Sequence, residues 1–214
     1  MRKLARGLLW MAVVFGIIVG VARAVALRWW RIPEGDPSLE ASIAPTMRPG
    51  DMVILWRLSA PSFGDLVLCP EPGSTGRVAI GRLVGEPRDV VEVEGSSLWI
   101  NTKRAETETA CSDRKLTVRD PVSLSEVELN CTIEAIGGIS HMRGNAVGQT
   151  NTPIHTQHTV GEGKLFLVSD NRQYPWDSRR YGQPERKACT ETFLFRLWSK
   201  QGFFDVKNRF NMLH

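Results

Sequence analysis

A chain of 214 residues with 42% hydrophobic and 23% charged side chains has the make-up of one foldable domain with an appendage, which excludes wholesale disorder and collagen-like structure. Its formal charge of +4, from 27 Lys and Arg against 23 Asp and Glu, points to nucleic acid or membrane as an anionic partner. Residues 1–31 hold six of the basic side chains and no acid, which leaves 21 basic against 23 acidic in the rest, so the basicity is N-terminal and a nucleic-acid-binding surface is not supported.

The first predicted element is that N-terminal segment. Leu8 to Ala22 is an uncharged run of fifteen residues, and Leu8 to Leu27 reaches twenty if Arg23 snorkels to the headgroups. A spanning helix needs about 20 mostly apolar residues. Trp29 and Trp30 suit an interfacial belt. A cleaved secretory signal ending near Ala22-Arg23-Ala24 is the competing reading, and the span length favours a retained single-pass anchor over residues 1–31. Basic residues flank the run equally, so charge alone leaves its orientation open.

Ile32 to Glu40, with Pro33, Gly35 and Pro37, reads as a linker leaving the membrane. Strand candidates follow at Asp51–Leu58, Asp65–Cys69, Val78–Val84, Val90–Val93, Leu98–Asn101 and Leu165–Val168, separated by turn signals such as Pro49-Gly50 and Pro72-Gly73. No long segment after residue 31 has a helical period, so the body, residues 32–214, is expected to be a mostly-β domain.

Residues 103–160 are polar and read as a β-rich insertion without a core of its own. Cys111 and Cys131 lie in it and can pair if the body is outside the cytoplasm, two free thiols being the alternative. Cys69 and Cys189 read more simply as buried or free thiols. No CxxC pair supports zinc. His141, His155 and His158 have no completing Cys or carboxylate set, so they are expected as solvated loop histidines, and neither a metal nor any other cofactor is expected.

Three segments carry a resemblance. Ser42-Ile43-Ala44-Pro45-Thr46-Met47-Arg48-Pro49-Gly50-Asp51 resembles the Ser-Met-x-Pro-Thr…Gly-Asp box of type I signal peptidases. Gly81-Arg82-Leu83-Val84-Gly85-Glu86-Pro87-Arg88-Asp89 resembles their Lys-Arg-Val-x-Gly-x-Pro-Gly-Asp box. Ser169-Asp170-Asn171-Arg172, followed by Asp177-Ser178-Arg179 and Gly182, resembles their Gly-Asp-Asn-Arg…Asp-Ser-Arg-x-x-Gly box. Gly64-Asp65-Leu66-Val67, Gly95…Leu98-Trp99-Ile100-Asn101 and the tail Trp198…Arg209…His214 match in order as well.

The resemblance implies a signal-peptidase-like β-sheet domain behind one transmembrane helix, held at a bacterial inner membrane with the domain on the outer, periplasmic face. It implies cleavage of N-terminal signal peptides from exported proteins by a serine nucleophile with a lysine general base. Ser42 takes the nucleophile's position and is expected just before a strand, at the mouth of a cleft. A hydroxyl needs such a base to attack, and the base position is Gly81. A one-residue slip would bring Arg82, whose guanidinium stays protonated. Besides Ile43 for the first box's Met and Ser169 for the third box's first Gly, two further positions of the catalytic apparatus depart from the family. Pro175 replaces a serine that bonds the lysine. Glu40 replaces a serine that helps bind the oxyanion in Gram-negative members, where a carboxylate would repel developing negative charge.

Asp170, Asn171, Arg172, Asp177, Ser178 and Arg179, with Pro45, Thr46, Gly50, Asp51 and Arg82, are the retained framework of the boxes. Lys103, Lys164 and the histidines are substitute bases on paper only; solvated side chains are expected. By the resemblance the partners are the lipid bilayer and signal peptides or other extended exported peptides, bound beside Val78–Val84 or Asp51–Leu58. The alternative to a peptidase is a catalytically inactive peptide-binding homologue, a partner or regulator of an active signal peptidase in export or pilin processing.

Overall fold

The computed structural model describes residues 2–146 and 155–213. The first element, α1 (Arg2–Val25), contains the stretch Arg6–Val25, which is long and apolar enough to cross a membrane and is not buried against the rest of the chain. It leads directly into strand β1 (Leu27–Arg31), which pairs antiparallel with β2 (Met52–Trp56). The two tryptophans therefore divide between two roles. Trp30 packs edge-on against Phe193, with ring centroids 6.0 Å apart, while Trp29 stays exposed under the Arg23 guanidinium.

Between these strands the expected linker contains a short helix, α2 (Pro37–Ser42). Asp36 caps it, accepting from the Ser38 and Leu39 amides at 3.1 and 3.2 Å, and Pro37 supplies the fixed φ that suits a first helical turn.

The remaining strands are β3 (Leu66–Pro70), β4 (Val78–Gly85), β5 (Val90–Glu94), β6 (Ser97–Ile100), β7 (Lys103–Arg104), β8 (Glu106–Arg119), β9 (Glu126–Ile136), β10 (Ile139–Ala146), β11 (His155–Thr159), β12 (Phe166–Val168), β13 (Glu191–Trp198) and β14 (Asn211–Met212), with one helical turn, α3 (Ser178–Tyr181). The chain is mostly β, as its short apolar runs indicate. The main sheet has the order β1-β2-β13-β3-β4-β12, with β14 beside β13; a second has β11-β5-β6-β7 and a third β10-β9-β8. Ile32, Leu39, Ile43, Met47, Val53, Leu55, Leu68, Ile80 and Phe193 form one buried cluster under the main sheet, and α2 contributes Leu39 to it.

The described part of 103–160 is built on long hairpins. Gly137 and Gly138, at φ +59° and +85°, make the tight turn between Ile136 and Ile139 that only residues tolerant of positive φ allow at both positions. Ile136 joins a buried cluster with Val84, Val91, Leu98 and Phe166, so this segment shares the body's core instead of standing off it. Residues 147–154 of the segment, and His214 of the matched tail, lie outside the described residues.

The cysteine expectation is corrected in one half. Cys111 and Cys131 are bridged, joining β8 to β9, but Cys69 and Cys189 are bridged too, not free. Sequence separation hid that pair, since the two residues stand 120 positions apart and meet only because β3 and β13 are neighbours.

Candidate active site

Ser42 is not at the mouth of a cleft. It is the last residue of α2, wholly buried, and its hydroxyl donates to the Leu39 carbonyl at 2.9 Å, a bond within its own helix. β2 begins only at Met52, ten residues later. The C-terminal end of α2 is pinned from outside by Asn171, whose side-chain amide donates to the Ala41 carbonyl at 2.7 Å and whose backbone N–H donates to the Ser42 carbonyl at 3.1 Å. Helix ends leave carbonyls without intrahelical partners, and Asn171 satisfies two of them. Glu40 is engaged within its own segment: its carboxylate accepts from the Gly35 N–H at 2.6 Å.

The three boxes meet at one buried ion pair. Arg82 is fully enclosed and donates twice to Asp170, at 3.0 Å each, and once to the Gly64 carbonyl at 2.8 Å. Thr46 donates to the same Asp170 carboxylate. Burial alone would raise the Asp170 pKa, but Arg82 and these hydrogen bonds hold it below the ordinary carboxylate value. Residues from each box thus touch one carboxylate.

The other framework residues brace this centre. Asp51, behind the positive-φ turn at Gly50, lies 3.1 Å from Arg196, and Arg196 also donates to the Thr46 carbonyl. Pro45 follows a cis peptide bond and lies against Gly144, where an added Cβ would come within 3.2 Å of it. Asp177 caps α3, accepts from the Ser169 N–H at 2.8 Å and is paired with Arg179, which lowers its pKa against the effect of burial. Ser178 accepts from the Leu167 N–H at 2.9 Å.

Gly81 sits in the middle of β4 opposite Val67 of β3. A Cβ there would meet Leu167 Cβ at 3.0 Å and the Val168 carbonyl at 3.3 Å. Its neighbour Ile80 belongs to the cluster containing Leu39 and Ile43, whereas Ala79, Leu83 and Leu167 form another. Alternation along the strand therefore aims position 81 at the Leu167 layer. Among the described residues no lysine is buried. Lys164 pairs with Glu185 and Lys103 is exposed. Pro175 is half-buried.

The sequence reading missed a second buried cluster beside the first. His141 is not a solvated loop residue: it lies on β10, fully enclosed, with Nε2 3.3 Å from Glu134 and 3.9 Å from Asp170. Glu134 also binds Arg143 at 3.0 Å and Arg172. Burial pushes the Glu134 carboxyl up, but Arg172, His141 and Arg143 outweigh it and bring it to about 2. Burial pulls the His141 imidazole below its ordinary value, so it is neutral at pH 7 and the arginines are the lasting partners of Glu134. Strand alternation placed these side chains inward, a signal hidden by the polar composition of 103–160. His155 pairs with Glu92 at the surface and His158 stacks on Phe166. No group of residues suited to a metal ion occurs among the described residues.

A pH dependence follows. Glu134 has a folded value below its ordinary 4.5, so it stabilises the fold above that pH and loses the contribution as pH falls towards 2. His141, depressed from 6.5, likewise stabilises the fold above that value and loses it on acidification. Asp51, raised by burial, runs the other way. The urea midpoint of the full-length protein in detergent should hold steady from about pH 8 to 7 and fall below about 6.5 and again below about 4.5. Glu134→Gln should shrink the lower step; a midpoint that rises on acidification would contradict this account.

The model of the family described as signal peptidase, peptidase S26, matches residues 5–198. The chain belongs to the signal peptidase S26 family. It is 24% identical to a signal peptidase I of Pseudomonas aeruginosa over 184 residues, 78% of this chain and 60% of that protein. It is 27% identical to one of Bacillus licheniformis over 192 residues, 85% of this chain and 86% of that protein, and 26% identical to one of Streptococcus pneumoniae over 163 residues, 73% and 78%. The match thus spans only 60% of the length of the Pseudomonas signal peptidase, and the family frame supplies the fold and the three boxes. The Thr46–Asp170–Arg82 contact is where those boxes converge in this member of the family.

Proposed function

We propose that the protein is a membrane-tethered signal-peptidase-fold protein that holds extended segments of exported proteins and does not hydrolyse them through a Ser–Lys pair. The observation that carries this reading is the state of Ser42: enclosed, its proton directed to the Leu39 carbonyl, with glycine at the position where the family resemblance puts the base. Attack needs an exposed oxygen and a base beside it.

Peptide holding is supported by the flank of β4. β12 pairs with β4 only from Gly85 to Arg82, so among the described residues no strand pairs with Val78–Gly81 on that side, and Val78, half-buried where Ala79–Gly81 are enclosed, is the reachable end of this flank. An extended peptide added there would bind through main-chain hydrogen bonds. The other strand considered, β2, is flanked by β1 and β13 and has no free side. The apolar exposed α1 supports the tether, and two disulfides support a body in an oxidising compartment, such as the periplasmic side of a bacterial inner membrane.

The test uses the full-length protein in liposomes with a preprotein. A photo-crosslinking side chain at Val78 should trap the preprotein uncleaved. The triple variant Gly81→Lys, Pro175→Ser, Glu40→Ser should also leave it uncleaved, because Ser42 stays enclosed. Cleavage by the wild type that Ser42→Ala removes would overturn the non-catalytic reading in favour of signal peptide cleavage, the general activity of the family. Absence of any crosslink would overturn peptide holding.

A further inference from the structure

The end of α1 nearest the body carries a feature the peptide site does not use. Where the helix turns into β1, a pocket of about 360 Å³ opens between Gly20, Arg23, Ala24 and the residues Leu27, Arg28, Trp29 and Arg57. Three guanidiniums line it. Arg28 is neutralised by Glu191 at 2.8 Å. Arg23 lies over the Trp29 ring, 4.5 Å from its centroid, and Arg57 donates to the Ala24 carbonyl at 3.0 Å. Neither of these two has a carboxylate within ion-pair distance among the described residues. The pocket therefore holds two uncompensated positive charges.

Its walls limit the occupant. One side is the flank of α1, where Gly20 leaves open space and Val19 and Val21 are exposed. A soluble anion would satisfy the charges and leave this apolar wall wet. A molecule with a phosphate at one end and hydrocarbon at the other satisfies both. An exposed tryptophan and arginines at the end of an apolar span is the composition of the headgroup level of a bilayer. We propose that Arg23, Arg57 and Trp29 form a binding site for the phosphate headgroup of an anionic phospholipid, with an acyl chain along α1. This rests on the reading of α1 as a membrane anchor. Occupied, the site would fix the orientation of the body on the membrane surface, because Arg57 follows β2 directly and its backbone N–H donates to the Ala26 carbonyl at 3.0 Å.

The test is native mass spectrometry of the full-length protein released from detergent micelles doped with equal phosphatidylglycerol and phosphatidylcholine. The wild type should retain phosphatidylglycerol about tenfold or more over phosphatidylcholine, at roughly 1 kcal/mol for each basic side chain near the surface. Arg23→Gln with Arg57→Gln should bring the ratio near one, and Arg23→Lys with Arg57→Lys should restore part of it. Arg88→Gln, a change at an exposed arginine that does not line the pocket, should leave it unchanged. A preference that survives the double glutamine variant, or no preference in the wild type, would overturn the site. Displacement by glycerol phosphate as readily as by lipid would make it an anion site and sink the lipid assignment. Carbonate washing of membranes is the separate check on the anchor: extraction of the wild type would fail that reading, whatever the lipid ratio.

Discussion

Asp170→Ala is expected to cost the fold on the order of 3–5 kcal/mol, the scale for breaking a buried ion pair by removing one partner. The Arg82 guanidinium would remain wholly enclosed with the Gly64 carbonyl as its remaining acceptor among the described residues, and Thr46 would lose the oxygen it donates to. The loss should show as a drop in the urea midpoint with the denaturant slope unchanged. Asp170→Asn should be severe as well, since it keeps the shape and still strands the cation. Arg82→Met with Asp170→Ala should recover a large part, because the expense lies in the uncompensated charge more than in the absent pair. A loss below about 1 kcal/mol for the single change would show that water reaches Arg82 and that the three boxes are not held together there.

The second large effect is expected at the Cys69–Cys189 bridge. It closes a loop across 120 positions, and chain entropy assigns such a loop about 4–5 kcal/mol, against about 3 for the 20 positions spanned by Cys111–Cys131. Local structure points the same way. β3 and β13 are neighbours in the main sheet, yet only Glu191↔Leu68 and Thr192↔Val67 are paired between them. The bridge adjoins that short seam and ties it. Cys69→Ala with Cys189→Ala should therefore lower thermal and urea stability more than Cys111→Ala with Cys131→Ala, and reductant should bring the wild type down to the level of the quadruple variant. Equal effects of the two pairs would refute the loop-length account.

The contrast between box residues and the rest shows what a sequence exposes. Six strands were legible because stretches such as Val78–Gly85 or Leu66–Pro70 are short apolar runs between turn signals, and their identity survives errors of a residue or two at each end, whereas β1, read as the end of the anchor, and β13 were not among the candidates. Arg82, Asp170 and Thr46 were marked as framework by their boxes, although no spacing revealed that all three share one carboxylate. α2 was hidden: one and a half turns are too short to establish a 3.6-residue period, and Pro37 and Gly35 read as linker signals. With α2 hidden, so was the burial of Ser42. Glu134, His141 and Arg143 were hidden because charged residues on a strand suggest a wet face, and only the fold shows them paired with one another and with Arg172. Cys189 could be matched to Cys69 only after β3 and β13 were known to be neighbours.

The two bridges are nested, Cys111–Cys131 lying within the span of Cys69–Cys189. For a chain threaded through a membrane from its N-terminal end, this sets an order of events. Cys69 emerges first and must stay reduced while 120 further residues follow, and Cys111 and Cys131 pass it on the way. Oxidation in order of emergence would join Cys69 to Cys111 and trap a wrong topology. The local hairpin of β8 and β9 offers Cys111 a nearer partner. Correct maturation then depends on that hairpin closing before Cys69 is oxidised, or on a thiol–disulfide isomerase that undoes the early mistake. Such a protein would be made well in a compartment that either leaves Cys69 reduced until the hairpin has closed or can reshuffle bridges as well as form them.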